Sequence, residues 1–321
     1  MLEQVTNNNT YTMAAVVAPV LAAAVDAPVE EIVDVTPTAY RVSTITCNGS
    51  LGTSVNLNML FAHVRLTDNN EDKKFVWVEF GQDKNRGTYP KKRRPNVYGR
   101  KSFDNQVTLV YRFREGYAPN IKVFRNGNIQ MTGIRCPEDG HSIIDSIASE
   151  VRYIATEVPD AVDITSMDTM NPGDFKIRMI NSDFSFSFRI RRKDLHTLLI
   201  SSQYNTISSF QPGTYPGVKI QYFWNMNSRN RCGRCECPKP CHGRGDNATP
   251  VIAPQLMAVA GAAPVVPENQ CKKVTISVFE SGKILITGAT SYAQIDEAYG
   301  YIVKVIQDNI GRIRKQSIPL V

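Results

Sequence analysis

Four cysteines and a histidine crowd into RCGRCECPKPCHGRG at positions 231–245: Cys232, Cys235, Cys237, Cys241 and His242. A C-x-x-C pair can place two thiolates on one tetrahedral ion, and Cys241 or His242 can complete the shell, so the chemistry on offer is zinc binding. Four protein ligands leave no open coordination position, which makes the ion's expected role structural. The crowding argues the other way, because zinc modules commonly space their ligand pairs by about a dozen residues or more. Redox-labile thiols in a loop are the alternative. A second concentration is KNRGTYPKKRRPNVYGRK at 84–101, where Lys84, Arg86, Lys91, Lys92, Arg93, Arg94, Arg100 and Lys101 occur without an acid and Tyr89 and Tyr98 interleave. Such a run suits a flexible arm that neutralises phosphates or an import signal, against the plainer reading of a solvated loop. Nothing resembles a catalytic set: the sequence has no phosphate-binding glycine loop, no H-E-x-x-H and no G-x-S-x-G. The four histidines are scattered, and the adjacent Asp296 and Glu297 read as helix surface, so an enzyme is not expected.

These residues are positioned by a unit best seen at 271–309. Val274, Ile276 and Val278, then Ile284 and Ile286, alternate as two strands sharing a buried face, with Glu280–Lys283 as a tight hairpin. The period then becomes helical through Tyr292, Ile295, Ala298, Tyr299, Ile302, Val305 and Ile306, opened by a candidate capping box of Ser291 and Gln294. The unit occurs twice. Phe124, Gly127, Ile129, Thr132 and Gly133 match Phe279, Gly282, Ile284, Thr287 and Gly288 at one gapless offset of 155 (279 − 124). An internal duplication therefore precedes any assignment of fold.

The chain has 321 residues, a net charge of +7 and 42% hydrophobic content, which allows one or two globular domains and favours polyanionic partners. Seven cysteines, four of them in one cluster, argue against a secreted disulfide framework. No stretch is long and apolar enough to span a membrane, and the apolar run 13–25 lacks a basic start, so an intracellular site is expected: nucleus, viral factory or virion. In order, 1–38 reads as a disordered low-complexity tail, 39–156 as a first repeat with a basic insert at about 70–104, and 157–172 as a linker. Residues 173–311 form a second repeat with the cysteine-bearing insert at about 225–270, and 312–321 a C-terminal tail.

The order strand, helix, strands, helix, given twice, together with FESGKILITGA, TYPGV and DFKI in the second half, resembles the TATA-binding protein family. With its inserts, the chain is similar to divergent versions in large DNA viruses. The resemblance implies an α+β saddle: two pseudo-symmetric repeats forming one curved antiparallel sheet, with helices on the convex side. It implies binding of A·T-rich promoter DNA in the minor groove and recruitment of polymerase machinery. The family is itself the standing example of wedging side chains between base steps to bend a duplex. Carried over by position, Phe124 and Phe279 match strand wedges and Tyr215 a wedge partner. Thr132 and Thr287 match the groove floor with Gln130 and Leu285 beside them, and Lys283, Ser281 and Arg112 match phosphate contacts. Parity supports exposure of Phe279, because Ile276 and Val278 lie on the opposite face. A B-type initiation factor or polymerase subunits are the implied partners, docking on the cysteine-bearing insert; zinc is the sole cofactor suggested.

The sequence departs from the family at defined places. The asparagine near the start of each repeat aligns with Tyr40 and Met179, the fourth wedge with Gln106 (Phe103 lying close by), and a leucine beside the first wedge with Lys122. These changes support looser A·T preference, or a saddle repurposed as a protein-protein or virion scaffold.

Overall fold

Apolar residues at alternate positions give most strands one dry side, and the chain satisfies those sides by covering a single sheet with helices. The computed structural model describes residues 35–67, 71–81, 84–90, 105–159, 164–226, 228, 230–237, 243 and 271–315. All of them belong to the unit Val35–Val321. The first half comprises β1 (Arg41–Ser50), α1 (Leu57–His63), β2 (Lys74–Phe80), β3 (Lys84–Gly87), β4 (Gln106–Arg112), β5 (Asn120–Phe124), β6 (Asn128–Ile134) and α2 (Pro137–Glu157). The second comprises β7 (Gly173–Ser185), α3 (Arg192–Ile200), β8 (Ile207–Ser209), β9 (Val218–Trp224), β10 (Lys272–Val278), β11 (Lys283–Ala289), α4 (Tyr292–Asp308) and α5 (Ile310–Ile313).

The sheet runs β3-β2-β4-β5-β6-β1-β7-β11-β10-β9-β8, antiparallel at each of these pairings. Outward from the central β1–β7 pair both directions repeat the same roles, with β3 added at one edge. Backbone hydrogen bonds repeat too. Leu51 N and Val55 N donate to Gly127 O and Arg125 O (2.9 and 2.8 Å), as Phe186 N and Ile190 N donate to Gly282 O and Glu280 O (3.1 and 2.9 Å). The early offset is thus 135 (186 − 51) and the later one 155, the difference lying in the unequal inserts.

One side of the sheet carries the core. Ile45 faces Ile180, and Ile180 faces Ala289, so the dry sides of the halves are continuous. Under that side α2 buries Ile143, Ile144, Ile147, Val151 and Ile154, and α4 buries Ile295, Ala298, Ile302, Val305 and Ile306, following the predicted stripes. Ser291 is the N-cap of α4 but makes no capping hydrogen bond with its side chain; Gln294 Oε1 instead accepts from Thr290 N at 2.7 Å.

Several segment boundaries differ from the sequence expectation. Residues 70–104 are not one insert, because β2 and β3 extend the sheet. Phe75, Val76, Trp77 and Val78 are all buried, so the strand shows no alternation to read. Within the expected arm, Arg86 is half-buried in β3 and donates to Phe61 O, Ala62 O and Val64 O (2.5, 2.7 and 3.2 Å), capping the end of α1. Lys91, Lys92, Arg93, Arg94, Tyr98, Arg100, Lys101 and Phe103 lie outside the described residues, as do 1–34. Residues 35–38 are anchored: Thr38 N donates to Ser185 O and Gln307 Nε2 to Val35 O (2.9 and 3.1 Å). In the expected linker, Ile164 is fully buried and its carbonyl accepts from Asn56 N at 2.7 Å. At the C-terminus α5 and Lys315 pack back, with Arg191 N donating to Ile313 O at 2.6 Å.

Gly282 stands at φ +85°, where a Cβ would sit 2.4 Å from Phe188 O and 2.7 Å from Phe186 O. Substitution therefore adds left-handed strain to a backbone clash. Gly282→Ala is expected to cost at least ~2 kcal/mol in denaturant unfolding. Gly300→Ala, within α4 and with open space at its Cβ, is expected to be neutral or stabilising by up to about 1 kcal/mol.

Candidate nucleic-acid interface

The face opposite the helices carries the residues singled out for contact with a duplex. Register places Thr132 beside Thr46 and Asn120, Gln130 beside Asn48 and Lys122, and Gln106 beside Phe124. In the second half Thr287 lies beside Thr275, and Leu285 beside Ser277 and Asp183. Thr132, Lys283 and Ser281 are exposed, whereas Gln130, Leu285 and Thr287 are half-buried by neighbours on the same face. Ile284 and Ile286, with odd-numbered neighbours facing the other way, are fully buried on the helix side.

Phe124 and Phe279 occupy equivalent ends of equivalent hairpins. In each the turn closes by a glycine N–H donating to the phenylalanine carbonyl, Gly127 to Phe124 at 2.9 Å and Gly282 to Phe279 at 3.1 Å. Both rings are half-buried and neither is sealed beneath a helix. Phe279 leans on Tyr215 with centroids 5.8 Å apart, and Lys219 Nζ sits 4.1 Å from the Tyr215 ring centre. Tyr215 itself is carried by the turn before β9 rather than by the strand.

Two residues that the sequence reading did not single out fix this aromatic pair. Arg192, the first residue of α3, donates to Pro216 O with Nη1 and to Glu280 Oε2 with Nη2 (3.0 Å), so one guanidinium ties the Tyr215 turn to the Phe279 hairpin. Glu280 also accepts from Lys315 Nζ (2.9 Å) and pairs with Arg189. Lys315 first, with Arg189 and Arg192 adding charge, holds the Glu280 carboxyl below the usual glutamate range. The run RIRRKDL gave no local signal for this, since the partners lie far away in sequence.

Three positions depart from the expected pattern. Arg112 has a side chain only 15% exposed and pairs with Asp72 at 3.6 Å, so it is withdrawn from the surface where a phosphate would lie. Tyr40 is not on the open face: it precedes β1, donates to Asp296 Oδ1 at 2.5 Å and packs edge-on against Tyr299 of α4. Burial, with the Asp296 bond second, pushes its hydroxyl up to about 12. The offset of 135 makes Thr44 the repeat counterpart of Met179 (179 − 135), and both lie near the sheet centre. Asp183 is a carboxylate on the open face, 8% exposed, held by Arg41 at 3.1 Å and Lys283 at 3.6 Å. Lys283 thus already has an acidic neighbour.

Both outer ends of the open face are covered. Tyr89 packs edge-on over Trp77 (5.0 Å), which forms a small cluster with Val76 and Val110. At the other end Phe223 and Cys271 are buried against Cys235 and Cys237. Cys271, just before β10, joins two of the five expected ligands, and Cys232 is not in this group. Cys232 lies instead beside α4, accepting from Arg234 Nε at 3.3 Å. Cys241 and His242 lie outside the described residues.

Comparison with known proteins bears on the whole arrangement. Residues 263–309, spanning the second hairpin and α4, match the model of the family described as Transcription factor TFIID (or TATA-binding protein, TBP). A curated relative, "TATA-box-binding protein-like" from Acanthamoeba polyphaga mimivirus, is 27% identical over 288 residues, covering 85% of this chain and 66% of the relative. The chain therefore spans slightly under two thirds of that relative's length. Among solved structures, Methanococcus jannaschii TBP aligns with 84% of this chain and 99% of its own at 15% identity, with a TM-score of 0.43. The chain is similar to TATA-binding proteins over its second hairpin and α4, and its single antiparallel sheet with helices on one side has the α+β arrangement that the resemblance implied.

Because Glu280 titrates below an ordinary glutamate, its contribution to hairpin stability is present above the ordinary pKa and lost as pH falls through the lowered one. A carbon-13 NMR titration of the Glu280 carboxyl is expected to show a depressed midpoint, and Lys315→Ala to raise it. An ordinary midpoint in the wild type would remove the clasp.

Proposed function

We propose that this protein binds A·T-rich duplex DNA in the minor groove through the open face of its sheet, bends it, and serves transcription initiation without catalysing a reaction. The observation that carries this reading is the pair of hairpin-end rings, Phe124 and Phe279, left on the uncovered side at symmetry-equivalent positions. The likeness to a viral "TATA-box-binding protein-like" relative supports it.

The mechanism follows from the face's chemistry. A broad strip of strands suits a widened minor groove, whose A·T pairs offer acceptors to Thr132, Thr287 and Gln130. Each ring enters between base steps at a cost of a few kcal/mol. The bend brings more of the sheet and its cationic margin onto the backbone, which offsets that cost. Lys219, Lys273 and Lys176 are exposed on or beside this face and take up phosphates. Arg192 and Glu280 hold Phe279 and Tyr215 in place beforehand, so little ordering remains to be done on binding. The cysteine-bearing insert beside the second half supplies a surface for a B-type initiation factor or polymerase subunits, and the setting is an intracellular one, nucleus or viral factory.

A protein-docking role for the same face is the second reading, favoured by the covered outer ends at Trp77 and Phe223. Gel shifts and end-to-end fluorescence transfer on A·T-rich and G·C-rich duplexes over a salt series separate the two. The expected result is binding with a steep salt slope, about 0.9 per phosphate neutralised. Phe279→Ala is expected to keep the fold, lose the bend and weaken binding roughly tenfold or more, about 1.4 kcal/mol. No binding at low salt, or a bend unchanged in Phe279→Ala, would overturn the DNA reading.

A further inference from the structure

We propose that Cys235, Cys237 and Cys271 hold a zinc ion that fastens the second insert to the start of β10, with Cys232 playing no part. The Sγ atoms of Cys237 and Cys271 lie 3.5 Å apart and those of Cys271 and Cys235 3.8 Å, and all three fall within 4.8 Å of one another. Zinc–sulfur bonds of about 2.3 Å in a tetrahedron set sulfur–sulfur edges near 3.8 Å. The two edges that meet at Cys271 thus already have about the length of an edge of a thiolate tetrahedron.

Two features beyond spacing favour an ion over three packed thiols. Asn225 Nδ2 points at Cys271 Sγ from 3.7 Å, an amide donor of the kind that orients and stabilises a ligating thiolate. The three sulfurs also meet at the base of the insert, where two distant chain segments must be joined. Residues 238–270 separate Cys237 from Cys271 in sequence, and among the described residues the two meet beside the buried Phe223. On binding, each thiol releases its proton to solvent as its sulfur–zinc bond forms, and the ion sheds water in exchange. The three described sulfurs fix where the ion sits. The site is independent of DNA binding.

The test uses the full chain purified in reductant and reconstituted with zinc. Native mass spectrometry and elemental analysis are expected to give one zinc per chain. Cobalt substitution is expected to give the intense thiolate charge-transfer and visible bands of a tetrahedral sulfur-rich site. Cys271→Ser and Cys235→Ser, each checked for retained circular dichroism, should lower occupancy from one to near zero, while Cys232→Ser leaves it at one. Should those variants misfold, chelation of the wild type provides the second readout, with proteolysis within 230–270 accelerating while the rest of the chain resists. A chain that retains no metal after reconstitution, a Cys237–Cys271 disulfide persisting in reductant, or cobalt bands lost in Cys232→Ser and kept in Cys271→Ser would each overturn the assignment.

Discussion

The antiparallel pairing of β1 with β7 is the constraint from which the remaining arrangement follows. It joins two copies of one unit edge to edge, so that their dry sides form one surface and their wet sides another. Had the copies packed face to face, both sides would be buried. Because each copy brings helices to one side only, the second side is bare across the central strands among the described residues. An antiparallel sheet can leave one face to solvent in this way, where an all-parallel one is covered on both.

Rigidity at the rim is achieved twice, by unlike means. In the first half the hairpin glycine lies against the Thr53 carbonyl and the turn is held by backbone bonds from Leu51 and Val55. The second half repeats those bonds and adds the Arg192–Glu280–Lys315 group. The added ion pairs are at most partly buried and of small net energetic value. Their effect is geometric, since a planar guanidinium that donates to both turns fixes their separation.

The sequence made the duplication legible because Phe124 to Gly133 and Phe279 to Gly288 each sit where backbone geometry permits few substitutes: positive φ at Gly127 and Gly282, alternation in the strands. The paired strands and the stripes of α2 and α4 followed from that. What escaped were features lacking a local period. β2 is buried on both sides and so does not alternate. Arg86 belongs to a basic run in sequence but caps a helix in space. Cys271 stands outside the cysteine cluster by 30 residues (271 − 241) and only opens the 271–309 unit, ahead of the strand that alternates from Val274. Arg192 and Glu280 meet across 88 positions, a distance no window resolves. Tyr40 aligns with the family's asparagine by resemblance alone, and the repeated hydrogen bonds move the correspondence with Met179 to Thr44.

The covers at the two ends of the bare strip are chemically unlike: an indole under a phenol at Trp77 and Tyr89, three sulfurs on a phenyl ring at Phe223. They abolish the dyad that the strand order would otherwise impose. An object lying along the strip meets a different neighbour at each extremity, so even a palindromic ligand would have a head and a tail once seated. Polarity of that kind is what a molecule needs if it is to point a second assembly in one direction.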